Sequence, residues 1–167
     1  MNIFLDLEET IIEDWFNPFF LENKIEKIKK DIFLLKEIND IEDDEINLIL
    51  FSFAVTNKHN EEIFIKTLKK EIEEMFNSKF IKIYKFNKEF IFSILEKSWK
   101  IKTLPTDMIS DILMGNEKET LFEIIALNDF KNEINILFDD TVKTTKKEIF
   151  EKSLFSREKT TLITIKV

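Results

Sequence analysis

Asn2-Ile3-Phe4-Leu5-Asp6-Leu7-Glu8-Glu9-Thr10 decides how this chain is read. A short apolar run stops at a carboxylate, a second carboxylate follows two residues on, and a hydroxyl two after that. An apolar run of this length before a polar cluster predicts a buried strand, over residues 2–6, that delivers side chains to a sheet edge. In open α/β sheets ligands sit at the carboxyl ends of the strands, which is where Asp6 would stand.

Two later stretches repeat the pattern. Ile46-Asn47-Leu48-Ile49-Leu50-Phe51 is nearly all apolar and ends at Ser52, and Ile134-Asn135-Ile136-Leu137-Phe138 ends in Asp139-Asp140. Both read as strands buried on two faces. Phe80 to Tyr84 alternates more and predicts a third strand nearer an edge, and Thr161 to Val167 predicts the last of five.

Helices are expected between the strands. Asn17-Pro18 resembles a helix start, followed by Ile25, Ile28, Ile32 and Leu35 at helical spacing to about Ile38. Phe64, Leu68, Ile72 and Met75 predict one amphipathic helix. Residues 85–117 suggest a small helical insertion, with Phe90 to Leu95 and Met108 to Leu113 separated at Leu104-Pro105. Asn116 with Glu119 resembles a capping box opening a helix to Phe130, and Thr145 with Glu148 another before a short helix. Strands alternating with helices predict one α/β domain over residues 1–167, with a mainly parallel five-stranded sheet and helices on both faces.

Composition narrows the chemistry. The aromatic content of 13% rules out a disordered chain. A net charge of −8 argues against nonspecific nucleic-acid binding, which calls for a basic surface. With no cysteine and one histidine, His59, any metal site must be built from oxygen ligands, which suits Mg²⁺ or Ca²⁺. With Gly115 alone, no glycine-rich phosphate loop can form. No apolar stretch is long enough to span a membrane, and the amino terminus does not resemble a signal peptide, so a cytoplasmic protein is expected. His59 reads as a surface residue at a helix start. Trp15, Phe16 and Trp99 read as packing residues.

Acids and a serine at three strand ends could converge on one sheet edge. Carboxylates gathered there repel one another unless a cation lies between them. A carboxylate beside a divalent cation can attack phosphorus, a second acid can protonate the leaving oxygen, and a lysine can offset the charge on the transferring group. In this order the motifs resemble the haloacid dehalogenase-like (HAD) superfamily, mostly Mg²⁺-dependent phosphohydrolases. The first motif is Asp6-Leu7-Glu8-Glu9-Thr10, the second the strand ending at Ser52, the third Lys118, and the fourth Asp139-Asp140.

The resemblance implies a three-layer HAD-like (Rossmannoid) fold and an aspartyl-phosphate mechanism. Asp6 would be nucleophile and Mg²⁺ ligand, joined by the backbone carbonyl of Glu8. Glu8 would be the general acid/base, Thr10, Ser52 and Lys118 would bind phosphate, and Asp139 and Asp140 would hold the metal. The chain departs from the family at Glu8, where aspartate is usual, and at Phe53-Ala54, where polar residues or glycine are common. A misplaced general acid costs about a hundredfold in rate per ~1 Å. A short cap leaves the site open and suits a macromolecular or nucleotide phosphate. The alternative expectation is a catalytically weak scaffold that binds a protein partner, fitting an inhibitor or regulatory factor of viral origin.

Overall fold

The computed structural model describes residues 1–42, 45–99, 118–152 and 157–167. Every residue of β1 (Asn2–Leu5) is buried. Strands flank it on both edges: β2 (Asn47–Leu50) and β4 (Ile134–Asp139) each pair with it in parallel. The sheet is completed by β3 (Lys79–Ile83), β5 (Thr145–Lys152) and β6 (Arg157–Lys166), in the order β3-β2-β1-β4-β6-β5. All neighbours are parallel except β5 and β6. β3 lies at one edge, as its alternating pattern predicts.

Five described helices cover the sheet. α1 (Glu22–Asn39), α2 (Lys58–Thr67) and α3 (Lys69–Phe76) pack Ile25, Ile28, Ile32, Phe64 and Ile72 against Ile3, Leu5, Leu48, Leu50 and Ile136. α4 (Lys88–Trp99) and α5 (Lys118–Asp129) pack Ile91, Leu121, Phe122 and Ile125 against Phe4, Ile49 and Leu137 on the other face. Alternate residues of each central strand serve opposite cores, which is why these strands read as continuous apolar runs. Much of the phenylalanine content is spent here. Phe4 meets Phe122 edge-on at 4.9 Å, and Phe51 and Phe130 at 5.6 Å, the geometry the ring quadrupole favours.

Several expectations need correction. The sheet has six strands, not five. Thr145 and Glu148 open no helix but lie in β5, where Thr145 opposes Thr164 and Glu148 opposes Thr161; the free edge of β6 offers hydrogen bonds that a capping signal cannot match. β6 also begins before Thr161, at Arg157. Asn17-Pro18 does not start α1. Residues 19–21 first pair back onto 11–13, through Glu13 N–H to Phe19 O and Leu21 N–H to Ile11 O, so the helix waits until Glu22. The single helix through Phe64 and Met75 is two, broken at Leu68, although Phe64, Leu68 and Ile72 all face the core. Phe16 is not a packing residue among the described residues, being 96% exposed. Exposed His59 near the start of α2 is as expected. The Met108–Leu113 helix, the break at Leu104-Pro105 and the Asn116 cap lie outside the described residues, as do the side chain of Trp99 and Gly115.

The amino ends of the central strands carry a device the apolar pattern does not announce. Asn47, Asn2 and Asn135 stand in register on three adjacent strands. Asn47 Nδ2 donates to Asn2 Oδ1 at 3.2 Å, and Asn2 Nδ2 donates to Asn135 Oδ1 at 3.0 Å and to Glu133 at 2.8 Å. A slip of one residue would break the whole ladder and reverse every side chain.

Candidate active site

The chain runs from β1 outward to β2 and β3, then returns to the other side of β1 for β4. Strand order therefore reverses between β1 and β4, and in such sheets a crevice opens at the carboxyl ends of the two strands where this happens. Asp6 follows the last residue of β1 and its N–H donates to Phe138 O at 3.1 Å; Asp139 closes β4. Sheet register alone brings these residues side by side.

Lys118, first residue of α5, reaches between them. Its Nζ lies 2.9 Å from Asp6 Oδ1 and directly against Asp139 Oδ2. All three groups are buried. Asp139 Oδ1 accepts from both the N–H and the hydroxyl of Thr141. Asp139 Oδ2 faces the ammonium but accepts no well-formed hydrogen bond. Ser52 is buried two residues beyond β2, and its hydroxyl favours the ionised form of the Asp6 carboxyl. The centre of the Phe53 ring stands 5.1 Å from Lys118 Nζ, so Phe53 supplies an aromatic face to the buried cation.

The electrostatics follow from burial and from these contacts. Burial pushes the Asp6 carboxyl up to about 6; Lys118 opposes the rise and Asp139 adds to it. Burial would also raise Asp139, but Lys118 and the two Thr141 donors outweigh it and hold this carboxyl below its ordinary value. Lys118 is raised, because its two carboxylates outweigh its own desolvation. Asp140 is raised by burial, then by the Asp139 charge and by the neighbouring Glu9 carboxyl.

One carboxylate oxygen from each of Asp6, Asp139 and Asp140 lies within 4.8 Å of the other two, a group that could hold a metal ion. The donors fit a hard divalent cation. All are oxygens, and three carboxylates against one ammonium leave a formal charge of −2. The cleft above them has a volume of about 460 Å³ and is lined by Asp6, Glu8, Ser52, Lys118 and Asp140, among others.

Two site residues take places the sequence does not specify. Glu8 is half-buried in the cleft wall, and its Oε1 accepts the Trp15 N–H at 3.0 Å. Thr10 is fully buried and lines no part of the cleft; its hydroxyl accepts the Asp140 N–H at 3.2 Å, tying the first loop to the end of β4. Between them Glu9 adopts φ 55°, a left-handed turn that is uncommon for a residue with a Cβ. Of the other lysines near it in sequence, Lys131 is exposed on the surface, and Lys100 and Lys102 lie outside the described residues. Thr141, Glu13 and Asp14 were missed, and Phe53 was singled out only as a departure. Of the three missed, only Thr141 carried a signal, as the hydroxyl directly after the acidic pair.

Comparisons with protein-family models, with curated proteins and with solved structures give no match to this chain. Among the described residues, no helix is long and apolar enough to cross a membrane.

Proposed function

We propose that this protein is a HAD-like phosphohydrolase that works with Mg²⁺ through an aspartyl-phosphate intermediate. The observation that carries the reading is the meeting of Asp6, Lys118 and Asp139 at one point of the sheet's switch crevice, with Asp140 alongside. Asp6, Asp139 and Asp140 would hold the ion, which when bound supplies charge neutralisation for a phosphoryl group brought among carboxylates.

The steps fall to this chain's own groups. The Asp6 oxygen not held by Lys118 attacks phosphorus, and the ester P–O bond breaks. Glu8 gives its proton to the leaving oxygen through Oε2, since Oε1 is committed to the Trp15 N–H. Glu8 then takes a proton from water, which attacks the acyl phosphate, releases inorganic phosphate and restores Asp6. Ser52 and Lys118 face the phosphoryl oxygens, and the Lys118 charge offsets what gathers there. The elevated Asp6 carboxyl is still ionised at neutral pH, as a nucleophile must be.

The test is hydrolysis of p-nitrophenyl phosphate with and without Mg²⁺, in wild type and Asp6→Asn. Equal rates in the two proteins would end this reading. One observation favours the alternative scaffold, a regulatory or inhibitory protein that binds a partner. Lys118 already bridges Asp6 and Asp139, so the buried carboxylates are paired without a metal. Calorimetry separates the two: Mg²⁺ binding that disappears in Asp139→Ala belongs to the enzyme, and no Mg²⁺ binding belongs to the scaffold.

A further inference from the structure

The cleft is more acidic than its phosphate chemistry requires. Six of its lining residues are carboxylates, Asp6, Glu8, Glu9, Glu13, Asp14 and Asp140, and one is a cation, Lys118, a formal charge of −5. A bound divalent ion would reduce this to −3 without reversing it, and an incoming phosphoryl dianion restores −5. Lys118 is already engaged by Asp6 and Asp139. Lys24 reaches the rim, but its ammonium donates to the Glu9 carbonyl. A small anionic ester such as a nucleotide meets repulsion over the whole approach, since walls of one sign focus their field into the cleft.

The acids at the mouth are held there by the fold. Glu8 accepts the Trp15 N–H, and Asp14 accepts the N–H groups of Phe16 and Asn17, both at 2.8 Å, so both carboxylates are locked beside the opening. Glu13 is exposed and makes no ion pair among the described residues. The same loop presents two aromatic rings to solvent, Phe16 at 96% and Phe19 at 65% exposed. Glu8, Glu13 and Asp14 meet no cationic side chain among the described residues, and beside uncovered rings they match a ligand with several cationic side chains and an apolar one. Aromatic anchors among charges are where recognition surfaces concentrate their binding energy.

We infer that the cleft receives its phosphoryl group on a lysine- and arginine-rich polypeptide segment, whose basic side chains meet the acids of the mouth while an apolar neighbour covers Phe16. The inference rests on the phosphohydrolase reading and names the substrate class for that site. The bond broken is the phosphoester of a hydroxyl side chain, and the proton and water are those already assigned to Glu8.

The experiment compares labelled phosphoserine peptides of equal length with Lys/Arg, neutral or Glu flanks, and labelled AMP, by fluorescence anisotropy and by phosphate release with Mg²⁺. The basic-flanked peptide is expected to bind and turn over at least about tenfold better than the neutral one, with the advantage lost as salt rises from about 0.05 to 0.5 M. Glu13→Lys is expected to cut that preference about threefold, and Phe16→Ser to weaken binding of both peptides. Equal affinity for all flanks, a preference for AMP, or a preference that survives Glu13→Lys unchanged would overturn the inference. So would peptide binding that ignores the phosphoryl group and leads to no release. p-Nitrophenyl phosphate serves as the separate control: Mg²⁺-dependent turnover of it without any basic preference ends this inference alone, whereas no turnover of any ester ends the parent reading and this one with it.

Discussion

The two ends of the central strands bury polar groups in opposite ways. At the amino end three asparagines lie across β2, β1 and β4, neutral and bonded to one another. Beside them Glu73 closes the amino end of β3 with donors from Lys69, Lys79 and the Phe80 N–H. At the carboxyl end two carboxylates share one ammonium, the Asp6 carboxyl is pushed up to about 6, and Asp139 Oδ2 accepts no well-formed hydrogen bond. Satisfied polar groups fix register; charges held close without full compensation are a store of reactivity. The same backbone pairing serves both, because parallel strands collect equivalent residues at each edge.

The largest effect expected from breaking this contrast is on turnover. Asp6→Asn removes the nucleophile and should lower phosphate release by at least about a thousandfold, or roughly 4 kcal/mol of transition-state stabilisation. Its thermal midpoint should stay within about 3 °C of wild type or rise, because burial already works against this charge. A steady-state assay and a melting curve on the same preparation check both halves.

Lys118→Met comes next. It leaves Asp6 and Asp139 adjacent, buried and uncompensated. Breaking a buried pair in this way costs about 3–5 kcal/mol, and here the midpoint should fall by roughly 10 °C. Millimolar Mg²⁺ should recover more of the loss in the variant than it adds to wild type. If melting does not respond to Mg²⁺ in either protein, the carboxylate group holds no such ion.

At the other end Asn2→Leu should cost about 2 kcal/mol, by stranding the Asn47 amide and the Asn135 carbonyl in a buried layer. Phosphate release should be unchanged, since the ladder lies a full strand length from Asp6. Denaturant midpoints paired with initial rates test this. A lost activity would mean that the two ends are mechanically coupled.

The sequence made the carboxyl end legible and the amino end opaque, for one reason. Asp6, Ser52 and Asp139 interrupt apolar runs at their ends, where a change of character is visible. Asn2, Asn47 and Asn135 stand at the starts of the same runs, where a polar residue resembles an ordinary strand boundary, and their meaning comes only from the register between strands. Lys118 was placed by its position before β4, though nothing local to it says that its ammonium is buried. β5 was misread because Thr145 and Glu148 satisfy a local helix signal while the deciding partner, β6, lies further along the chain. The shape of the loop from Glu8 to Phe20 is not legible locally, since it depends on a half-buried glutamate accepting a backbone N–H seven residues on.

The smallest effect belongs to Glu73, and its sign is fixed by the direction of the shift. Burial alone would raise this carboxyl, but the hydrogen bonds from Lys69, the Phe80 N–H and Lys79 outweigh it and hold it at about 2, against an ordinary 4.5. The ionised form is therefore favoured by folding. Its contribution is fully present above about pH 4.5 and is lost as pH falls through that value toward 2. The linkage ceiling is about 3 kcal/mol; Lys79 is largely exposed and its share is screened, so about 1–2 kcal/mol is expected. Glu73→Gln should lower stability by that amount at neutral pH and flatten the acid limb of stability against pH, read from urea midpoints. If the variant keeps the full acid limb, some other carboxylate dominates acid unfolding, and the amino end does not owe its stability to this anchor.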